Sequence, residues 1–301
     1  MSGKARIGII GAGLMGHGIA QVFALAGHEV KVFDPVASSL ATLGERIGNN
    51  LASLDADVSA ADRVSGHATL EEAVADADVV FEAAPEKVAL KQSIFADLEA
   101  IAPPEAIFAS NTSVIQIGLI AEKMTSRGRV IGTHWWNPPY LVPLVEVVQA
   151  EGSDIAVVNR MMDLLRAVGK TPVHVKKDVP GFVGNRLQHA LWREAIALVQ
   201  DGICDAETVD IVVKSSFGRR LAVLGPLENA DLVGTDLTLD IHENVLPHID
   251  RTPGPLPFLR NLVESGRLGM KSGEGFRTWT ETEAQNLRAR VIDYLRRFDR
   301  A

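Results

Sequence analysis

The feature that most constrains this chain is a glycine-rich turn between a short apolar run and an amphipathic segment. Residues 7–10 are apolar, residues 11–16 read Gly-Ala-Gly-Leu-Met-Gly, and apolar residues then recur at helical spacing up to Ala26. A second apolar run, residues 30–33, ends in Asp34. This order predicts a strand, a tight turn, a helix and a second strand that carries a carboxylate at its end.

Each glycine of this turn has a physical role in binding a dinucleotide. Gly11 allows the tight turn, Gly13 lets the backbone approach a pyrophosphate, and Gly16 lets the helix pack closely on the strands. The helix N-terminus offers free N–H groups and a partial positive charge to the phosphates. Asp34 would accept hydrogen bonds from a ribose 2′-hydroxyl and repel a 2′-phosphate, which favours NAD over NADP. The residues expected at the cofactor are Gly11, Ala12, Gly13, Leu14, Met15, Gly16 and Asp34.

Length and composition narrow the class of protein. At 301 residues the chain is long enough for two domains, and its net charge of −8 argues against broad nucleic-acid binding. No apolar run approaches the ~18 residues of a membrane span. We expect neither a signal peptide nor a metal site, since no Cys or His pair has ligand spacing. The single cysteine, Cys204, fits a reducing compartment such as the cytoplasm.

The pattern along the chain predicts an α/β protein. Short apolar strands alternate with amphipathic helices as far as residue 175, and helices dominate from residue 182 onward. We predict one helix over residues 38–53 and a loop or fraying helix end over residues 55–66. The predicted architecture is an N-terminal Rossmann-type doubly wound sheet in an NAD-binding domain (1–181), followed by a smaller all-α domain (182–301) for substrate binding and dimerisation.

Polar residues gather where two successive strands are predicted to end. Glu86 follows one strand, and Asn111, Thr112 and Ser113 follow the next. In a doubly wound parallel sheet, ligands bind beyond the carboxyl ends of the strands, so these side chains are candidates for cofactor or substrate contact. A helix N-cap is the structural alternative for residues 111–113, and both roles are compatible.

His134 and Glu146 are the candidate catalytic pair. A predicted strand delivers His134 to a sheet edge, and Glu146 interrupts the apolar run of another, where an unpaired carboxylate would be costly. The proline-containing loop between them can return the chain and make them neighbours. Histidine can take the proton of an alcohol as a hydride leaves, and a carboxylate on one ring nitrogen would fix its tautomer. A structural histidine is the alternative.

Over nearly its whole length the chain resembles the 3-hydroxyacyl-CoA dehydrogenase family. It looks closest to the gulonate dehydrogenase (lambda-crystallin) branch and to a branch acting on a pyridine carboxylate. The matching segments are residues 11–16 (Gly-Ala-Gly-Leu-Met-Gly), 82–86 (Glu-Ala-Ala-Pro-Glu), 110–113 (Ser-Asn-Thr-Ser), 134–138 (His-Trp-Trp-Asn-Pro), 144–147 (Leu-Val-Glu-Val), 180–186 (Pro-Gly-Phe-Val-Gly-Asn-Arg) and 271–276 (Lys-Ser-Gly-Glu-Gly-Phe).

The resemblance implies a role for several residues. It implies His134 as the base and Glu146 as its partner, with Ser113 and Asn185 binding the oxygen atoms of the substrate. The residues implied near the cofactor are Glu86, Lys91, Asn137 and Lys271. The family also implies a homodimer through the helical domain.

Two departures from the family pattern concern the substrate. Relatives that act on CoA thioesters resemble one another in a lysine-rich segment after the second strand, whereas residues 35–66 here contain two arginines and four acidic residues. Arg219 and Arg220 stand where the CoA-active relatives lack arginine, and an arginine can bind a carboxylate bidentately. A surface arginine pair is the alternative.

The expected function is NAD-dependent oxidation of the hydroxyl group of a small 3-hydroxy carboxylate, present as the free acid. The first alternative is a short-chain 3-hydroxyacyl-CoA dehydrogenase, such as one acting on 3-hydroxybutyryl-CoA. The second is a non-catalytic NAD-binding structural protein, against which the intact His134 and Glu146 argue.

Overall fold

The computed structural model describes residues 4–298, which form two compact units. One unit contains the chain up to Asn185 and again from Tyr294, and the other contains Arg186–Asp293. The outermost residues of the two predicted domains, 1–3 and 299–301, lie outside the described residues. The predicted limits 1–181 and 182–301 remain a proposal beside this division.

An eight-stranded sheet forms the centre of the first unit. Its strands are β1 (Ile7–Ile10), β2 (Val30–Phe33), β3 (Val64–His67), β4 (Val79–Glu82), β5 (Ile107–Ser110), β6 (Val130–Trp135), β7 (Leu144–Val148) and β8 (Thr171–Val175). They lie in the order β3-β2-β1-β4-β5-β6-β7-β8, and every pair is parallel except β6 with β7. The order reverses at β1, which places the glycine-rich turn at the switch point of a doubly wound sheet.

Helices cover both faces of this sheet. They are α1 (Leu14–Leu25), α2 (Ala37–Ala41), α3 (Leu43–Ser53), α4 (Leu70–Val74), α5 (Val88–Ile101), α6 (Ile117–Ile120) and α7 (Ile155–Ala167). One core cluster joins α1, α3 and α7 to residues such as Ile9, and the other joins α4, α5 and α6 to residues such as Ile10. Successive strand side chains point to opposite faces, so β1 contributes to both cores.

Three local details differ from the sequence-based expectations. The helix predicted over residues 38–53 is broken at Thr42 into α2 and α3. The predicted loop at 55–66 instead forms a short 3₁₀ helix and the start of β3, the edge strand. Leu90, expected to face inward from α5, is exposed, whereas its neighbour Lys91 is fully buried.

The second unit is helical, as predicted. Its helices are most of α8 (Gly184–Gln200), then α9 (Ala206–Ser215), α10 (Pro226–Val233), α11 (Thr235–Val245), α12 (Pro257–Glu264) and most of α13 (Glu281–Phe298). Arg277, in the turn-rich segment before α13, forms ion pairs with Glu207 and Asp210 of α9. The fold class, a mostly parallel sheet domain followed by a helical domain, is therefore confirmed.

Over residues 4–298, no helix is both long and apolar enough to cross a membrane. The same residues contain no cluster of three His, Cys, Asp or Glu side chains arranged to hold a metal ion.

Candidate active site

The glycine-rich turn leaves room beside the start of α1. Gly11 has φ of +99°, and a Cβ there would lie 2.7 Å from the carbonyl oxygen of Ala83. A Cβ on Gly16 would lie 1.7 Å from the carbonyl oxygen of Gly11. Around the Cβ position of Gly13, by contrast, no atom of the described chain lies within 4 Å, and no side chain caps α1. Open space and uncapped helix N–H groups fit an anionic group such as a pyrophosphate.

The carboxylate of Asp34 lies beside this turn. Its Oδ2 accepts a hydrogen bond of 2.7 Å from the backbone N–H of Ala12, and its Oδ1 accepts one of 2.8 Å from that of Val36. A carboxylate has about four acceptor positions, so both oxygens keep capacity for ribose hydroxyls. The side chain therefore fixes the turn as well as offering a negative charge at the end of β2.

A buried ion pair supports the carboxyl ends of β4 and β5. Glu82 and Lys91 are both fully buried, and Lys91 Nζ lies 2.7 Å from Glu82 Oε1. Glu82 Oε2 accepts a hydrogen bond of 2.6 Å from the hydroxyl of Ser110 at the end of β5. Lys91 Nζ also lies 3.4 Å from Glu86 Oε2. Lys91 thus reaches the site by holding Glu86 rather than by exposing its ammonium group.

Glu86 organises the segment that contains Ser113. Its Oε1 accepts hydrogen bonds from the Thr112 hydroxyl and from the backbone N–H groups of Ser113 (2.9 Å) and Val114 (3.2 Å). Burial alone would raise the pKa of Glu86, but these hydrogen bonds and the charge of Lys91 outweigh it and lower the pKa. Glu86 is therefore an ionised anchor for this segment.

His134 and Glu146 form a direct pair across the antiparallel strands. They are opposite each other in the β6–β7 register, and His134 Nδ1 lies 2.8 Å from Glu146 Oε2. Both side chains are buried, with residue exposures of 4% and 1%. Burial alone would raise the pKa of Glu146, but hydrogen bonds from His134, Gly184 and Val183 outweigh it and hold the pKa below its ordinary value. An ionised carboxylate only accepts, so Nδ1 carries the proton and Nε2 is left as an acceptor.

The turn before α8 supplies the other partners of Glu146. The backbone N–H groups of Val183 and Gly184 donate to Glu146 Oε1 at 2.8 and 3.0 Å. Two successive residues before them have positive φ, Gly181 at +74° and Phe182 at +50°. Such a φ is unusual for a bulky residue and costs about 1–3 kcal/mol, so surrounding contacts must hold it.

Hydrogen bonds connect the remaining candidate residues to this pair. Asn185, directly after Gly184, donates from Nδ2 to the backbone carbonyl of Ser113 at 2.9 Å. Asn111 Oδ1 accepts from the backbone N–H of Trp135, the neighbour of His134, at 3.0 Å. The first unit therefore brings four predicted residues into one connected set: Ser113, His134, Glu146 and Asn185.

The other predicted residues lie elsewhere in the description. Asn137 is exposed in the loop between β6 and β7. Arg219, Arg220 and Lys271 are exposed residues of the second unit, Arg219 at the end of a short 3₁₀ helix. Their roles at a cofactor or substrate stay predictions.

Sequence reasoning missed two buried residues that support the site, Glu82 and Phe182. Glu82 ends an apolar strand run, the same signal that identified Glu146, and could have been found in this way. Phe182 gave no signal, because neither its positive φ nor its contact with the His134 ring is written in the local sequence.

Comparison with known proteins identifies the family. The model described as "3-hydroxyacyl-CoA dehydrogenase, NAD binding domain" matches residues 6–179, and "3-hydroxyacyl-CoA dehydrogenase, C-terminal domain" matches residues 181–279. The first match confirms NAD as the cofactor, in agreement with the open turn at Gly13.

Named relatives extend over almost the whole chain. A 5-formyl-3-hydroxy-2-methylpyridine 4-carboxylate 5-dehydrogenase of Mesorhizobium japonicum is 33% identical over 94% of this chain and 93% of its own. A probable 3-hydroxybutyryl-CoA dehydrogenase of Bacillus subtilis is 38% identical over 92% of this chain and 98% of its own. A crystal structure of a 5-formyl-3-hydroxy-2-methylpyridine 4-carboxylic acid 5-dehydrogenase, titled an NAD⁺-dependent dismutase, aligns with TM-score 0.91 and 30% identity over 99% of this chain and 98% of that one. The chain therefore belongs to the 3-hydroxyacyl-CoA dehydrogenase family, NAD-dependent dehydrogenases that act on hydroxyl groups.

Proposed function

We propose that this enzyme oxidises the hydroxyl group of a small 3-hydroxy carboxylate, bound as the free acid, with His134 as the general base. The observation that carries the base assignment is the 2.8 Å contact between His134 Nδ1 and the ionised carboxylate of Glu146. This contact fixes the tautomer in which Nε2 is unprotonated. A dehydrogenase needs such an acceptor for the hydroxyl proton.

The steps assigned to the chain are binding, orientation and proton transfer. NAD, when bound, accepts the hydride from the carbon that bears the hydroxyl. His134 Nε2 takes the hydroxyl proton, and Glu146 stabilises the imidazolium that results. Ser113 and Asn185 hold the reacting oxygen. Asn185 donates one Nδ2 hydrogen to the carbonyl of Ser113, and its amide has a second hydrogen for the substrate.

Cofactor binding is proposed for the glycine-rich turn and its neighbours. The turn and the start of α1 hold the pyrophosphate, and Asp34 binds the ribose hydroxyls. Glu86 contacts the cofactor, with Lys91 acting through it. Asn137 and Lys271 complete the proposed set.

The charges after β2 favour a free acid over a CoA thioester. Residues 35–66 have a net charge of −2. Their two arginines donate to backbone carbonyls, Arg46 to Ser39 at 2.7 Å and Arg63 to Ala24 at 3.3 Å. This surface is a poor partner for the phosphates of CoA. The relative named for a pyridine carboxylate supports the same choice, and Arg219 or Arg220 is the proposed carboxylate partner.

Oxidation of a short-chain 3-hydroxyacyl-CoA is the second candidate. It is favoured by the 38% identity to a probable 3-hydroxybutyryl-CoA dehydrogenase. A non-catalytic role is disfavoured, because a structural protein does not need the buried His134–Glu146 pair to be complete.

We also propose a homodimer formed through the helical unit, working in the cytoplasm. Helices of this unit expose large apolar side chains that a monomer would leave in water, among them Val223 at 82%, Leu227 at 80% and Leu232 at 71%. The single cysteine fits a reducing compartment.

The base assignment predicts the kinetics of two variants. His134→Gln should lower turnover by about 10²–10⁴-fold while NAD still binds, since proton transfer alone contributes that much. Glu146→Gln should also lose rate. Its kcat/KM profile should move its acidic limb to lower pH, because the imidazolium loses its anionic partner. The low pKa of Glu146 keeps it ionised wherever the imidazole titrates, so this limb reports the imidazole. His174→Gln, a half-buried histidine of β8, is the control. Near-wild-type turnover in His134→Gln would refute the assignment.

Asp34 should set the preference between the two dinucleotides. Asp34→Ala should weaken NAD binding by about tenfold or more, because charged hydrogen bonds contribute roughly 1.5–3 kcal/mol. NADP binding should change little or improve. Titration of both cofactors measures this, with melting temperature recorded because Asp34 also holds the turn. Asp34→Asn removes the charge at nearly constant shape and should lose discrimination too. Equal losses for both cofactors would contradict the prediction.

The substrate class is tested by assaying NADH formation with 3-hydroxy acids beside their CoA thioesters. Free acids should be oxidised with the higher kcat/KM. Arg219→Ala or Arg220→Ala should then raise KM about ten- to a hundredfold, as a shielded bidentate contact contributes roughly 1.5–3 kcal/mol, with kcat little changed. Arg260→Ala, another exposed arginine of the same unit, is the control. A better CoA substrate that neither change affects would establish the second candidate instead.

The assembly is tested by sedimentation at micromolar concentration. The wild-type protein should have twice the chain mass of 32.4 kDa. Leu227→Glu places a charge on the proposed interface and should give the monomer, whereas Val58→Glu, on an exposed apolar residue of the first unit, should not. A wild-type monomer would exclude the dimer.

A further inference from the structure

The imidazole of His134 lies between two aromatic rings. The ring of Trp136 has its centroid 5.2 Å away at an angle of 52°, and the ring of Phe182 has its centroid 5.7 Å away at 51°. Trp136 follows the end of β6, whereas Phe182 belongs to the turn before α8. Two separate segments therefore contact the proposed base.

The backbone at Phe182 shows that this side chain is needed. With φ of +50° the position would suit glycine, yet a phenylalanine occupies it and is fully buried. The backbone requirement is the N–H pair of Val183 and Gly184 on Glu146, which glycine at 182 would also allow. The ring must therefore serve its own contacts, which are the apolar core and His134.

Trp136 is seated by shape. A Cβ on Gly184 would lie 2.5 Å from Trp136 Cζ2, so the indole occupies space that only glycine leaves free. The indole Nε1 is buried and has no hydrogen-bond partner among the described residues. A tryptophan that fixed itself by hydrogen bonding would use that N–H. What this placement provides is a flat apolar surface beside the imidazole.

We propose that Trp136 and Phe182 are positioning residues that clamp the His134 ring. The bond to Glu146 holds one atom of the ring and leaves the ring free to swing about that contact. Aromatic surfaces on two sides prevent the swing, so Nδ1–H stays on Glu146 and Nε2 keeps one direction. The proposal rests on the proposed function, in which Nε2 receives the substrate proton.

The kinetic test removes or displaces each ring while apolar volume is kept. Phe182→Leu and Trp136→Leu remove a ring, and Gly184→Ala keeps both rings but displaces the indole. Each should lower kcat by about tenfold or more through misplacement of the base, with KM for NAD within about twofold. Trp136→Phe restores a ring and should recover most of kcat. The probes are NAD with 3-hydroxybutyrate and with 3-hydroxybutyryl-CoA. Phe95→Leu, which loses a buried ring packed on Phe108, is the control.

A second readout needs neither substrate nor turnover. NMR of ¹⁵N-histidine-labelled protein should show a low-field Nδ1–H signal of His134, assigned by its loss in His134→Gln. The signal should exchange with water faster in Phe182→Leu and Trp136→Leu and unchanged in Phe95→Leu. Wild-type exchange and wild-type kcat in both ring-removing variants would overturn the clamp. Wild-type turnover in His134→Gln would instead refute the base, and the NMR comparison would still decide the clamp.

Discussion

The buried carboxylate of Glu146 is the group on which the arrangement of the site depends. It lies in β7 with 1% exposure and accepts hydrogen bonds from three residues, His134, Val183 and Gly184. An ionised group in this position is stable only if each of its partners is present, because burial of an unpaired charge costs several kcal/mol. The pairing of β6 with β7, the turn before α8 and the imidazole orientation are therefore interdependent.

A second buried carboxylate, Glu82, plays the same part at the neighbouring strand ends. Removing one partner of a buried ion pair costs about 3–5 kcal/mol, so Glu82 and Lys91 require each other. Lys91 in turn reaches Glu86, which holds the backbone of Ser113, and Ser113 accepts from Asn185. The two carboxylate systems thus meet at Ser113 and Asn185, which are proposed to hold the reacting oxygen.

Much of this could be predicted from the sequence, and the failures have physical causes. Gly11, Gly16 and Asp34 were readable because backbone geometry restricts which residue fits there. Glu146 was readable because a charge on an apolar strand demands a partner. The edge strand β3 was missed because it has almost no apolar residues. The inward face of α5 was misplaced by one residue because an ion pair, which periodicity does not reveal, draws Lys91 inside in place of Leu90.

The antiparallel pairing of β6 and β7 is the topological feature that makes the catalytic pair possible. His134 and Glu146 are only twelve residues apart in sequence yet face each other directly. Two parallel neighbours would need a longer crossover connection, whereas a loop with three prolines suffices to reverse the chain. Side chains alternate along a strand, so a register shift of one residue would turn Glu146 to the other face of the sheet and leave His134 without its partner. The register of this one hairpin therefore determines whether the proposed base carries its proton on Nδ1.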